Sequence, residues 1–275
     1  MSKTTETIIR PKRGLAIDYR ELWHYRELFY FLSWRDIKLR YKQTVLGVIW
    51  AVLQPFMMMV IFSFIFGKVA KVPSYGIPYP IFSYAGLLLW GIFSNSLSNA
   101  SQSLISNTNI VQKVYLPRII LPASSIIVTV VDFLFSFLVF GVILIYYQFM
   151  PNLLGLLLLP LFLLITITAS LGLGSFLAAF NVKYRDVRYA LPFFIQLMIY
   201  ITPVIYPINI VSDKYRWILA LNPMTGAIEG FKAAFLGTAA IDWSVIGISA
   251  AVSVALLAFG FWYFSKTERI FADLI

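Results

Sequence analysis

Long apolar stretches alternate with short polar and basic segments along most of this 275-residue chain. A helix needs about 20 mostly apolar residues to cross a bilayer. Five stretches meet that requirement, and they are 44–66, 81–105, 119–147, 153–180 and 244–265. A shorter stretch, 191–205, has Pro192 near its start, where a proline suits the first turn of a helix. The pattern predicts an all-α polytopic membrane protein with six transmembrane helices.

Residues 206–243, between the fifth and sixth predicted spans, are apolar but repeatedly interrupted by polar residues, glycine and proline. The interruptions leave two apolar pieces, 216–221 and 226–240, each of which is too short to cross a bilayer. We therefore expect an outer re-entrant helical hairpin between spans 5 and 6. If the second piece crossed instead, the C-terminus would lie on the outer side.

Apolar residues also recur at helical spacing before the first span. Leu22, Tyr25, Phe29 and Leu32 share one helix face, with polar residues opposite. This spacing predicts an amphipathic interface helix that lies on the membrane surface over residues 20–40.

The chain divides by this pattern into three parts. Residues 1–43 form a cytoplasmic N-terminal tail and the interface helix, 44–265 the transmembrane domain, and 266–275 a cytoplasmic C-terminal tail. Lys and Arg are more frequent in the segments placed inside than in those placed outside, which favours cytoplasmic termini. Since no apolar run precedes the first span, a cleavable signal peptide is not expected.

Composition narrows the class of protein further. Hydrophobic residues make up 60% of the chain and charged residues only 12%, whereas soluble domains average about 25% charged residues. The net charge of +10 lies beside apolar spans rather than on a soluble basic face, so nucleic acid is not an expected partner. With no cysteine and a single histidine, His24, a thiolate or His-rich metal site is excluded.

Catalytic machinery is not evident in the sequence. No GxxxxGK[ST] loop is present, so the chain is not expected to bind and hydrolyse nucleotide through a P-loop. We therefore expect no enzyme activity and no cofactor in this chain itself.

The second predicted span is unusually polar for a membrane helix. Trp90, Ser94, Ser98 and Gln102 share one face by i, i+4 spacing, within a stretch rich in Ser and Asn. Hydroxyl and amide groups in lipid must find partners, either on neighbouring helices or along a wet pathway. Interhelical hydrogen bonds and a polar translocation path are both consistent with this face.

Aromatic residues in the first two spans are candidates for contact with a sugar chain, because their faces stack on the apolar faces of sugar rings. The candidates are Trp50, Phe56, Tyr84, Trp90 and Phe93. For each of them, core packing or lipid contact is the alternative.

Small residues in the fourth span predict close helix packing. Ser170, Gly174 and Ala178 recur at four-residue intervals and form a small-xxx-small ridge. In lipid, such ridges allow helix backbones to approach each other closely.

Asp132 is the only carboxylate well inside a predicted span. An ionisable residue in a membrane is a functional candidate by default. The sequence shows no intramembrane Lys or Arg partner, so proton coupling and a structural, hydrogen-bonded Asp are both possible. Glu229, in the outer region, is interpreted as a solvated residue.

Two inside loops have a common form. Asn107–Pro122 and Asn181–Pro192 are each short, basic and aromatic, and each ends at a proline. Positive-inside topology explains part of this charge. The same form suits short helices that dock into a cytoplasmic partner.

Six strings, spread in order along the chain, carry a resemblance to a known family. They are RDIKLRYKQTVLGVIWAVLQP (35–55), VPSYGIPYPIFSYAGLLLW (72–90), KVYLPRIILP (113–122), NVKYRDVRYALPF (181–193), TPVIYP (202–207) and LNPMTGAIEGF (221–231). With them the chain resembles the permease subunits of ABC-2 type polysaccharide exporters. The resemblance is closest to O-antigen exporters, with capsule and teichoic-acid exporters near.

The resemblance implies a homodimer in the bacterial inner membrane, with two cytoplasmic nucleotide-binding ATPase subunits that bind ATP and Mg. The substrate would be a polysaccharide linked to polyprenyl diphosphate, which passes through a pathway at the dimer interface. Residues of the two inside loops would contact the ATPase subunits and couple ATP hydrolysis to transport. These residues are Lys113, Tyr115, Arg118, Lys183, Arg185, Asp186 and Arg188.

The sequence therefore predicts the transmembrane subunit of an ATP-driven exporter, with O-antigen as the first candidate substrate. Two alternatives stay open. A proton-coupled secondary transporter or lipid flippase would use Asp132, whereas a membrane scaffold would transport nothing.

Overall fold

The structure is a computed structural model that describes residues 23–42, 47–268 and 271. Throughout these residues the regular structure is helical, without strands. Ten α-helices follow one another, and they are α1 (Arg26–Lys42), α2 (Gly47–Phe62), α3 (Tyr79–Ser106), α4 (Thr108–Lys113), α5 (Ile120–Tyr146), α6 (Leu153–Lys183), α7 (Val187–Ile201), α8 (Asp213–Ala220), α9 (Pro223–Leu236) and α10 (Trp243–Thr267). The π-helix Ser63–Val69 continues α2, and a short 3-10 helix, Ile208–Ile210, precedes α8.

Five helical segments in the described part of the chain are long and apolar enough to cross a membrane, which confirms five of the predicted spans by length and composition. They are α2 with its π-helical extension, α3, α5, α6 and α10. The start predicted for the first span, at residues 44–46, lies outside the described residues.

The sixth predicted span differs from the observed helix. Helix α7 has 15 residues and begins at Val187, so Pro192 lies inside it rather than in its first turn. The helix ends at Ile201 because Thr202 precedes Pro203, and a residue before proline is disfavoured in the α conformation. At about 1.5 Å per residue, α7 alone is shorter than the hydrocarbon core, so its crossing stays a prediction.

Helices α3 and α6 lie at the centre of the bundle and make the most extensive helix contact among the described residues. Small side chains on α6 permit this packing, as predicted from the small-xxx-small ridge in the sequence. Ser170 and Ala178 are fully buried, and a Cβ atom at Gly174 would collide with Ala100 of α3. On another face of α6, Gly172 lies against the backbone of α10 at Gly260.

The outer region contains two short helices, as predicted, with boundaries set by local capping. Asn222 accepts a hydrogen bond from the Met224 amide at the start of α9, and Gly237 ends the helix with a φ of 66°. Helix α9 packs against α3, α6 and α10 and is almost entirely buried. Its position relative to the bilayer stays a prediction.

Helix α10 begins at a strong cap. The Asp242 side chain accepts hydrogen bonds from the backbone amides of Ser244 and Val245 and from the Ser244 hydroxyl. These hydrogen bonds, led by the one from the Ser244 side chain, lower the pKa of the Asp242 carboxyl.

Helix α1 packs against α5 and α2. The side chain of Leu32, on α1 itself, is buried. The aromatic side chains in and just before this helix that are exposed are Trp23, Tyr30, Phe31 and Trp34. The first residues of the predicted interface helix, including Leu22, lie outside the described residues. A second, smaller hydrophobic cluster joins Leu32 to α4, the C-terminal ends of α3, α6 and α10, and the start of α5.

We expect Gly260→Ala to lower the midpoint of thermal unfolding in detergent, because the added Cβ would collide with the Gly172 carbonyl. Overpacking of this kind costs about 1–3 kcal/mol. Gly247→Ala on the same helix is the matched control, since a Cβ there meets no atom within 4 Å. Equal midpoints for the two variants would contradict the close approach of α6 and α10.

Candidate functional site

Two adjoining cavities open along the polar face of α3, and together we call them the polar groove. The first, of about 390 Å³, lies between α2, α3, α5 and α7. The second, of about 470 Å³, lies between α1, α3 and the first part of α5. Arg40 and Ser98 line both cavities.

The predicted polar face of α3 does line this groove. Trp90, Ser94 and Ser98 lie in the first cavity, and Ser98 and Gln102 lie in the second. The hydroxyl of Ser98 donates to the Ser94 carbonyl at 3.0 Å, which leaves the oxygen able to accept from a ligand. The amide side chains of Asn99 and Gln102 also line the second cavity.

Other polar groups of α3 serve helix contacts, which confirms the expected interhelical hydrogen bonds, whereas a translocation path along the groove stays a prediction. The hydroxyls of Ser96 and Thr129 lie 2.6 Å apart and form a buried hydrogen bond between α3 and α5. Asn181 of α6 donates to the Ser101 carbonyl at 3.0 Å. The polar stretch thus divides into a groove-facing part and a packing part.

The predicted aromatic residues are mostly placed elsewhere. Tyr84 is fully buried, where its hydroxyl donates to the Ser136 carbonyl at 3.2 Å and its ring stacks on Phe140. It therefore lines neither cavity, which corrects its prediction as a pathway residue. Phe93 and Trp90 lie side by side and are equally buried, at 6% exposure each. Among the five aromatic candidates, Trp90 alone lines either cavity.

Trp50 and Phe56 lie on the outward surface of α2, at 58% and 36% exposure. The residues of α2 that line the first cavity are instead Ala51, Gln54, Pro55 and Met58. The sequence did not resolve this because hydrophobic residues surround α2 on all sides, so periodicity does not identify the face that packs.

Asp132 has a basic partner, which corrects the expectation that it has none. The Arg40 guanidinium at the end of α1 lies 2.7 Å from one carboxylate oxygen, and the Tyr41 hydroxyl donates to the other. Burial, together with this carboxylate, raises the pKa of Tyr41, so the phenol keeps its proton and remains a donor. The pair connects the predicted interface helix to the wall of the groove.

Arg35 makes a second connection, at the other end of the groove. Its guanidinium contacts Asp36 at 2.7 Å and donates to the Asn107 side chain at 2.8 Å. Asn107 directly precedes α4 and donates back to the Ser103 carbonyl of α3. Residues 35–41 of α1 therefore contact the groove wall, α3 and the start of α4.

The residues expected to contact an ATPase lie at one end of the bundle. Val111 of α4 and Val182 at the end of α6 belong to the same hydrophobic cluster, so the two loops leave the bundle together. The exposed candidates in these loops are Lys113, Tyr115, Lys183, Arg185, Asp186 and Arg188.

Arg118 is engaged within the chain itself. Its backbone amide donates to the Glu268 carboxylate at 3.2 Å, and its guanidinium donates to the Glu268 carbonyl. The guanidinium also lies 5.7 Å from the centre of the Phe271 ring. Arg118 therefore holds the end of α10 against the first loop.

Lys232 is a buried cation that sequence reasoning did not identify as important. Its ammonium group donates to the carbonyls of Pro203 at 2.6 Å and Val204 at 3.1 Å, and lies 3.8 Å from the centre of the Phe82 ring. Glu229 lies 3.5 Å from the ammonium and its side chain is only 12% exposed, which corrects its interpretation as solvated. The i, i+3 spacing of Glu229 and Lys232 in an apolar helix was the signal that could have revealed the pair.

Among the described residues, no group of His, Cys, Asp and Glu side chains is arranged to hold a metal ion. What the groove offers chemically is hydrogen bonding and stacking. Its lining combines hydroxyl and amide groups with one indole ring, Trp90.

Comparison with known proteins gives a consistent result. The family model described as ABC-2 type transporter matches residues 27–236. An O-antigen export system permease protein RfbA of Klebsiella pneumoniae is 30% identical over 251 residues, which cover 90% of this chain and 95% of the relative. The RfbA of Myxococcus xanthus is 32% identical over 260 residues, covering 93% of this chain and 98% of the relative.

A further relative is the polysialic acid transport protein KpsM of Escherichia coli. It is 25% identical over 199 residues, which cover 71% of this chain and 76% of the relative.

We expect Arg40→Gln and Asp132→Asn each to destabilise the fold by about 1–3 kcal/mol. This is less than the ~3–5 kcal/mol for breaking a fully buried ion pair, because the Arg40 side chain is 37% exposed. The double variant should cost less than the sum of the single variants. Thermal unfolding in detergent gives the comparison, with Lys42→Gln, at an exposed residue of α1, as the control. Strictly additive costs would mean that the two side chains do not interact.

Proposed function

The chain belongs to the ABC-2 type transporter family, and we propose that it is the permease subunit of an ATP-driven exporter of lipid-linked polysaccharide. The proposed substrate is a polyprenyl-diphosphate-linked glycan, most specifically O-antigen, which crosses the bacterial inner membrane. The observation that carries this proposal is the polar groove along α3.

The lining of the groove supports a glycan as the transported group. The hydroxyl and amide groups of Ser94, Ser98, Asn99 and Gln102 match the donors and acceptors of sugar hydroxyls. Trp90 presents part of an aromatic ring, on which the apolar face of a sugar can stack. The relatives named as O-antigen export permeases agree with this class of substrate.

A homodimer would complete the pathway. In the most apolar 18-residue stretch of α2 and its π-helical extension, only 11% of the sequence is buried within this chain. Trp50 on α2 and Phe193 on α7 are both more than half exposed, on helices that border the first cavity. A second copy packed near these helices would enclose the groove and bring Trp50 and Phe56 towards the pathway, as the sequence predicts.

Energy would come from two separate ATPase subunits that bind ATP and Mg. Their docking surface would be the two loops with exposed basic residues, Lys113 in the first and Lys183, Arg185 and Arg188 in the second. Arg118 would act indirectly, by holding the first loop against the end of α10.

The contacts of α1 suggest how movement would reach the groove. Arg35 contacts Asn107, beside the first loop, and Arg40 contacts Asp132 in the groove wall. Helices α1, α3 and α5 would then move together. Helix α7 packs only lightly against α3 and α6, so it would be the wall that moves.

The topology follows from the same proposal. Helix α1 would lie on the inner membrane surface with its exposed aromatic residues in the lipid headgroups, and both termini would be cytoplasmic. The sixth crossing would consist of α7 and the buried segment after it. In that segment Lys232 and Tyr79 bond the carbonyls of Pro203, Val204 and Ile205. Helices α8 and α9 would form the outer hairpin.

We expect the chain, reconstituted with an ATPase subunit that binds it, to translocate lipid-linked glycan only when ATP is supplied. Trp90→Ala should slow translocation by several-fold while the complex still assembles, because stacking in the groove is lost. Leu138→Ala, an exposed residue of α5 that lines neither cavity, is the control. Transport that follows a pH gradient, without ATP, would support the secondary-transporter alternative instead.

Reversing the charges at Arg185 and Arg188, in a variant with glutamate at both, should leave ATP hydrolysis uncoupled from transport, because the second loop would no longer dock correctly. The ratio of glycan moved to ATP hydrolysed measures the effect. Lys214→Glu, on the exposed surface of α8, serves as the control. An unchanged ratio would mean that these arginines serve topology alone.

A further inference from the structure

Three of the helices around the polar groove, α2, α3 and α7, carry almost no charge, whereas α1 is charged. Of the charged residues of α1, those that line neither cavity are Arg26, Glu27, Lys38 and Lys42. Helix α3 has no Asp, Glu, Lys or Arg, and neither has α2 between Gly47 and Phe62. Helix α7 has one charged residue, Arg188, which is exposed in its first turn. Lys68, in the π-helical extension of α2, is exposed and lines neither cavity.

Four charged residues do line the groove, and they neutralise one another in pairs. Arg40 lies 2.7 Å from Asp132, and Arg35 lies 2.7 Å from Asp36. Two arginines and two carboxylates give the lining a net charge of zero. The remaining polar groups, such as Ser98, are uncharged.

The free energy of moving a polymer from water into a groove of this kind differs between neutral and charged polymers. Sugar hydroxyls that leave water find hydroxyl and amide partners along the wall. A carboxylate or phosphate that leaves water needs a cation in return, and both guanidinium groups of the wall are already paired.

We infer that the polar groove accepts uncharged glycan repeats and discriminates against polymers that carry a carboxylate or phosphate on every repeat. This inference rests on the proposed function and specifies the chemical class of its substrate. A second copy packed against helices α2 and α7 would add no charge from α2 and only Arg188, in the first turn, from α7.

Binding of two matched probes tests the inference. Both are hexasaccharides linked to polyprenyl diphosphate, one built of glucose and the other of glucuronic acid with the same linkages. The single diphosphate is common to both, so a difference in affinity reports on the repeats. Affinities are measured for the full-length chain in nanodiscs of zwitterionic lipid at pH 7, by quenching of tryptophan fluorescence.

The glucose probe should bind about tenfold or more tightly than the glucuronate probe, because an unpaired charge is costly to desolvate. Gln102→Lys adds a cation at an exposed position of the second cavity and should shift the preference towards glucuronate. Ile105→Lys adds the same charge on the same helix outside both cavities and should leave the preference unchanged.

Equal or tighter binding of the glucuronate probe by the unaltered chain would overturn the inference. The inference would also be overturned if Gln102→Lys and Ile105→Lys changed the preference between the two probes to the same extent. In either case ATP-driven translocation of the same probes would leave the proposed function standing. Failure of both probes to bind or to be translocated would overturn the function and the inference together.

Discussion

The ion pair between Arg40 and Asp132 is the interaction on which the rest of the structure depends. It joins a helix that precedes the first span to the middle of α5, and the Tyr41 hydroxyl completes the coordination of the carboxylate. Loss of either partner would leave an unpaired charge in the groove wall, Asp132 in the first cavity or Arg40 where both cavities meet. Together with the contacts of Arg35 to Asp36 and Asn107, this contact holds α1 beside the groove and leaves the lining without net charge.

A fully buried cation, Lys232, has a corresponding role beside the end of α7 and lines neither cavity. Lys232 bonds two carbonyls directly after α7, and its neighbour Glu229 balances its charge. One end of α7 is therefore held firmly, while its remaining length packs lightly against the bundle. Apart from the Arg40–Asp132 and Arg35–Asp36 pairs, the groove presents uncharged groups, which suits a neutral ligand that must bind and then move on.

Hydropathy and spacing predicted the five long spans, the two short outer helices and the groove-facing side of α3, because each is a local periodic property of the sequence. Partners distant in the chain were not predictable in this way. Between Arg40 and Asp132 in the sequence lie three α-helices, α2, α3 and α4, so their pairing depends on how α1 packs against α5. The orientation of Trp50 and Tyr84 likewise depends on packing, since α2 and α3 offer aromatic residues on several faces.

The most direct test of this account is a distance measurement across α1 and α5 during the ATP cycle. The chain has no cysteine, so spin labels can be placed at Lys38 and at the exposed Leu134, with a second pair at Lys38 and Phe193. Between the nucleotide-free and ATP-trapped complexes, we predict an unchanged distance for the first pair and a changed distance for the second. A change between Lys38 and Leu134 would contradict the claim that the Arg40–Asp132 contact makes the two helices move as one.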